Sequence, residues 1–239
     1  MERKSTSTMR LPPAVRAAAL AALGGNRFQA ELAWMSWAGT VWRLDGASDA
    51  VYVKRARGLE DERDRTTWLA GRLPVPEVLG LFHGFGDDWL LTRAIRGVPL
   101  SDGGLGWQPA HVARFLGETL RDIHAVDAAG CPFGEPGKGH VLIHGDYCLP
   151  NVLVEDGRLT GLVDVGRSGL GDPRDDLAAG LWTLHYNFGH GFGPQFLESY
   201  GAPAMADKDM ERLRRRYGKP SRLPGPVRVH GSPAVKCRD

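Results

Sequence analysis

The chain has 239 residues, 42% of them hydrophobic and 24% charged, enough to bury a real core as one globular domain or two small lobes. A formal charge of +2 gives no electrostatic footprint for nucleic acid, and no run is long and apolar enough to span a bilayer, so neither is expected as a partner. Three cysteines (Cys131, Cys148, Cys237) without a Cys-x-x-Cys pair suggest neither a disulfide framework nor a zinc site, and fit a reducing cytoplasm.

In chain order, Pro13 to Leu23 reads as a helix opened by Pro12-Pro13 and closed by Gly24-Gly25. This helix explains the apolar stretch Ala17 to Leu23 behind Arg3, Lys4 and Arg10 better than a signal peptide does, because the stretch is short and Arg16 cuts it off just upstream. Glu31 to Leu44 reads as strand, turn, strand. Val51-Tyr52-Val53-Lys54 alternates with period two, which puts Tyr52 and Lys54 on one face. A helix from Leu59 to Leu69 carries Glu60 and Glu62 and runs into Leu73-Pro74-Val75-Pro76. Val78 to Phe82 and Trp89 to Thr92 then form a hairpin around Gly84-Phe85-Gly86-Asp87-Asp88. From Pro109 to Val126, Val112, Phe115, Leu116, Leu120 and Ile123 recur at helical spacing, with His124 as a packed or capping residue. Cys131 to His140 is a turn-rich connector.

The informative stretch begins at Val141. Val141-Leu142-Ile143 is a short buried-strand signal, followed by His144-Gly145-Asp146-Tyr147-Cys148-Leu149-Pro150-Asn151. Val152 to Val154 and Leu159 to Val163 make a hairpin across Glu155-Asp156-Gly157 and end at Asp164. Asp146, Asn151 and Asp164 therefore all sit at strand ends, where a rigid sheet can hold loop side chains. An Asp, an Asn five residues on and a second Asp beyond a hairpin is the set that a kinase needs. One carboxylate takes the proton of the attacking hydroxyl, and the amide and second carboxylate hold Mg²⁺ on the nucleotide phosphates. Further helices are expected from Leu177 to about Asn187, from Pro194 to Tyr200 and from Asp207 to Tyr217.

These motifs, with Val163-Asp164-Val165-Gly166-Arg167 and Gly171-Asp172-Pro173-Arg174-Asp175-Asp176-Leu177-Ala178, resemble those of the aminoglycoside 3′-phosphotransferases. That family has a kinase-like fold shared with choline and homoserine kinases. The resemblance covers about residues 28 to 218 and implies an α+β, two-lobed protein-kinase-like architecture. Residues 1–95 would form an N-terminal lobe, an antiparallel sheet with one helix; 96–218 a mainly helical C-terminal lobe; and 219–239 a basic, Pro/Gly-rich disordered tail. It also implies roles: Asp146 as proton acceptor, Arg167 ordering the loop or meeting the acceptor, Asn151 and Asp164 on Mg²⁺. Lys54 would meet the ATP phosphates with Glu62 as its ion-pair partner, Ser36 would lie at the tip of a phosphate-covering hairpin, and backbone groups of Arg93 and Ile95 would bond adenine. His144, Asp172 and Asp176 are read as braces.

The chain departs from the family pattern where substrate is selected. The long acidic insertion ahead of Val141 is missing, Tyr186 stands where an acid is common, and the tail after Gly218 is rich in Arg and Lys where the family has an acidic, aromatic C-terminus. Apart from substrate selection, Pro173 follows Asp172 where Arg is frequent, with Arg174 as a candidate replacement. The expected function is thus ATP-dependent phosphorylation of a small-molecule hydroxyl, of the antibiotic-resistance type by resemblance, with weak or no use of kanamycin-type polycations. The alternatives are a kinase of another small alcohol and a non-catalytic nucleotide-binding remnant. A two-metal phosphohydrolase is disfavoured, because His185, His190 and His230 have no matching carboxylates.

Overall fold

A computed structural model describes residues 9–35 and 39–217. Ser36 and the tail 219–239, both singled out above, lie outside the described residues. Packing separates two units, one of Met1–Leu59 with Val78–Ala94, the other of Glu60–Glu77 with Ile95–Asp239.

The first unit is a five-stranded antiparallel sheet in the order β1-β2-β3-β5-β4, with one helix against it. Its elements are α1 (Pro13–Ala22), β1 (Gln29–Met35), β2 (Thr40–Asp45), β3 (Ala50–Ala56), β4 (Val78–Gly84) and β5 (Asp87–Arg93). The alternation read at Val51 to Lys54 is what places the sheet's faces. Val51 and Val53 are fully buried with Leu44, Leu91 and Trp89, under Val15, Ala19 and Leu23 from α1. Tyr52 and Lys54 take the opposite face, in register with Arg43 and Val41 on β2. Trp89 stacks on Trp42 with ring centres 5.9 Å apart and donates its indole N–H to the Gly84 carbonyl at 2.9 Å. Burial of the large ring therefore leaves no polar atom unpaired.

The second unit is mainly helical. It contains α2 (Glu60–Leu69), β6 (Val98–Pro99), α3 (Pro109–His124), β7 (Val141–Ile143), β8 (Val152–Glu155), β9 (Arg158–Leu162), β10 (Gly169–Gly171), α4 (Pro173–Phe188), α5 (Gly193–Tyr200) and α6 (Asp207–Tyr217). The stripe Val112, Leu116, Leu120 and Ile123 faces inward as its spacing requires, joined by Leu177, Leu181 and Leu184 from α4 and Phe196 from α5. α5 crosses close to α3 at Gly117, where a methyl group would collide with the Phe196 carbonyl, and the wholly buried Phe196 ring lies against Gly180 of α4.

Two minor sheets finish the unit: β6-β8-β9, and an antiparallel pair of β7 with β10. Neither β6 nor β10 was visible in the sequence. Both are two or three residues long and exist by pairing with a stronger neighbour, not by their own apolar alternation. The helix at α4 also begins earlier than the apolar period indicated. Asp172 caps it by accepting the Arg174 amide at 2.9 Å, and Pro173 opens its first turn. Among the described residues no helix is long and apolar enough to cross a membrane.

Candidate active site

The loop 144–151 is held from several sides before any of its chemistry is considered. Asp176, fully buried on α4, accepts the His144 amide at 2.6 Å and the Gly145 amide at 2.9 Å. The same carboxylate meets His124 Nε2 at 3.2 Å, and His124 Nδ1 lies 2.9 Å from the Tyr200 hydroxyl. A neutral ring that donates from Nε2 to Asp176 accepts from Tyr200 at Nδ1, which satisfies both nitrogens. The Tyr147 hydroxyl donates to the Leu116 carbonyl on α3 at 2.9 Å, and the Leu149 amide donates to Thr183 Oγ1 on α4 at 3.3 Å. Gly145 adopts φ +86°, and a Cβ there would lie 2.5 Å from the Arg167 carbonyl. Only glycine allows the two loops to lie against each other.

Within this frame, Asp146 and Asn151 are both buried. Asn151 Nδ2 donates to the Asp146 carbonyl at 2.9 Å and reaches its Oδ2 at 3.4 Å. His144 Nδ1 accepts the Asp146 amide at 3.3 Å, which leaves the imidazole proton on Nε2, where it has no partner among the described residues. Burial pushes the Asp146 carboxyl above its ordinary value. A bond from Tyr217 opposes that rise, the Asp164 charge adds to it, and the Arg167 charge draws it back. Asp164 and Arg167 thus act on Asp146 through space, from an exposed loop. Asp164 holds the left-handed conformation, φ 58°, unusual for a residue with a side chain. Such a conformation persists only where the surroundings enforce it, and it is common at functional loops.

The Asp164 loop has its own supports. Ser168 Oγ donates to the Ile143 carbonyl at 2.7 Å, and Arg65 Nε donates to the Ser168 carbonyl at 2.9 Å. The Arg65 guanidinium lies over the Phe133 ring. Glu62, one turn before Arg65 on α2, packs its side chain against Gly166. The second unit therefore brings together Asp146, Asn151, Asp164, Arg167 and Glu62. Lys54 lies on β3 of the first unit, half-buried between Val41 and Leu90 in register. Arg93 ends β5, with its guanidinium 3.4 Å from the Ala22 carbonyl. Ile95 opens the second segment of the second unit and covers Gly161.

Sequence reasoning missed two neighbours of Asp146. The Tyr217 hydroxyl, from the last turn of α6, donates to Asp146 Oδ1. Cys148 Sγ donates to the Tyr217 oxygen at 3.4 Å and lies 3.7 Å from Asp146 Oδ1. Cys148 could have been suspected from its place in the motif. Tyr217 stands 71 positions away and carries no local signal. The Tyr217 ring leans on Trp182 at 5.4 Å, and Trp182 stacks on Tyr186 at 5.1 Å. Arg216 ties the same turn to α4 through Asp175 at 2.6 Å and Asp172 at 3.1 Å.

The chain is 26% identical to an aminoglycoside 3′-phosphotransferase of Niallia circulans over 72% of its own length and 88% of the relative's. Its structure superposes on that of an aminoglycoside-3′-phosphotransferase of type VIII with a TM-score of 0.65 at 27% identity, covering 83% of this chain and 97% of that one. A Streptomyces rimosus aminoglycoside phosphotransferase, solved with ADP and streptomycin, shares the fold at a TM-score of 0.62 and 24% identity, over 85% of this chain and 96% of that one. The resemblance read from the motifs is borne out, and the architecture is the two-lobed α+β kinase-like fold. A model of the phosphotransferase enzyme family matches residues 31–140 and 136–215, and the chain belongs to that family.

Proposed function

We propose that the chain transfers the γ-phosphoryl group of ATP to a hydroxyl of a small molecule, in the manner of the aminoglycoside 3′-phosphotransferases. The observation that carries this reading is the buried Asp146 carboxylate, bonded by Asn151 and acted on by the Asp164 charge within one braced loop system. In this reading Asp146 orients the acceptor hydroxyl and takes its proton, and burial makes it a stronger base than an exposed carboxylate. Lys54, Glu62, Arg93 and Ile95 keep the nucleotide-side roles that their motifs imply, and Arg167 steadies the loop or meets the acceptor.

A divalent cation fits the remaining donors. Asn151 commits its Nδ2 to Asp146, so its Oδ1 is the atom left for a cation. Asp164 adds a carboxylate on an exposed loop. Two hard oxygen ligands suit Mg²⁺, which usually keeps several waters and substrate phosphates as its other ligands. When bound, Mg²⁺ neutralises charge that develops on the phosphates.

The acceptor side is aromatic and basic. Trp182, Tyr186 and Tyr217 form a row of rings, and the acids nearby are already engaged. Asp172 is bonded to Arg174 and Arg216, Asp175 to Arg216, and Glu211 to Arg214 and Arg215. A polycationic aminoglycoside needs carboxylates that are free to meet it. Kanamycin is therefore expected to be a poor substrate, with a KM well above the low micromolar range. The test is transfer of labelled γ-phosphate from MgATP across a panel of aminoglycosides, choline and sugars. The reading requires label on a hydroxyl of at least one acceptor. Release of inorganic phosphate alone, whatever acceptor is added, would contradict it.

A further inference from the structure

The hydroxyl that sits on Asp146 belongs to the protein itself. Tyr217 Oη donates its hydrogen to Asp146 Oδ1 while accepting the Cys148 thiol, so the phenolic proton already faces the carboxylate read as the base. The arrangement is anchored on several sides. The ring packs on Trp182, Met210 and Leu213 of the same helix pack on the core, and Arg216 fixes the turn to Asp172 and Asp175. A phenol, with an ordinary pKa of about 10, also gives up its proton more readily than a sugar hydroxyl does.

We infer that Tyr217 is a phosphoryl acceptor in cis: the chain modifies its own C-terminal helix when MgATP is present and no small-molecule acceptor occupies the loop. This rests on the phosphotransferase reading of Asp146. In the step, the Tyr217 oxygen forms a bond to the γ-phosphorus and the bond from that phosphorus to the β,γ-bridging oxygen breaks. Its electron pair leaves with ADP, and the phenolic proton passes to Asp146. The products are ADP and one phosphotyrosine. The new phosphate carries a charge of about −1.5 to −2 beside the Asp146 carboxylate, so the product turn is repelled from the loop it occupied.

The test is incubation of the purified full chain with MgATP and no acceptor, read by intact mass and peptide mapping, with the acceptor panel run on the same preparation. The expected result is a gain of one phosphoryl group per chain, mapped to Tyr217, at a first-order rate independent of protein concentration. Tyr217→Phe, which keeps the ring on Trp182, and Asp146→Asn should both lack it. A chain that phosphorylates a panel acceptor yet never labels itself overturns this inference and leaves the phosphotransferase reading standing. Label on a different residue, or a rate that rises with protein concentration, also overturns it. No transfer to Tyr217 or to any acceptor removes both.

Discussion

At the scale of single residues, the site depends on who accepts which backbone proton. Asp176 takes two amide hydrogens at the start of the loop and meets His124 as well, all out of water. Asp176→Asn turns one accepting oxygen into a donor facing a donor. Leaving a buried group unsatisfied costs about 1–3 kcal/mol. We expect denaturant unfolding to show a loss of that order, and kcat to fall with little change in the KM for ATP, since the residue positions Asp146 without touching nucleotide. An unchanged kcat would mean that the loop does not need the brace. The sequence made part of this legible. Asp146, Asn151 and Asp164 were readable because their spacing is local, set by one turn and one hairpin. Tyr217 was not, because only the packing of α6 on α4 carries it to the loop.

At the scale of elements, α6 shows what periodicity conveys and what it omits. Its bounds, Asp207 to Tyr217, follow from an acidic start and a basic end that suit the helix dipole. Which face meets α4 follows from Met210, Leu213 and Tyr217, the apolar positions that pack on the core, and Arg216 adds bonds to Asp172 at the cap and Asp175 in the first turn of that helix. Bonds from the Arg174 side chain, its amide and the Arg216 charge hold the Asp172 carboxyl well below its ordinary value of 3.8. A depressed carboxylate stabilises the fold fully above its unfolded value, and that contribution is lost as pH falls through the folded value. The stability gap between the parent and Asp172→Asn, which keeps the capping oxygen, should therefore be flat from pH 8 to about 5 and close below about pH 4. Unfolding curves across that range would check it. A gap that vanished already between pH 7 and 5 would assign the effect to another group.

At the scale of the whole molecule, alternation in the strands and the stripe on α3 made the α+β class readable, while the short strands β6 and β10 were hidden because neighbours create them. Fold and family make the chain a phosphotransferase, and in the function proposed for it the chemistry hangs on the Asp146 carboxylate. The most direct measurement compares Asp146→Asn with the parent chain for the single-turnover rate of phosphoryl transfer to the best panel acceptor, and for MgATP affinity by calorimetry. Asparagine keeps the shape and can still accept one hydrogen bond, but it cannot take a proton. The account predicts a rate lower by about 10²–10⁴-fold with MgATP affinity unchanged. Transfer at the parent rate would contradict it.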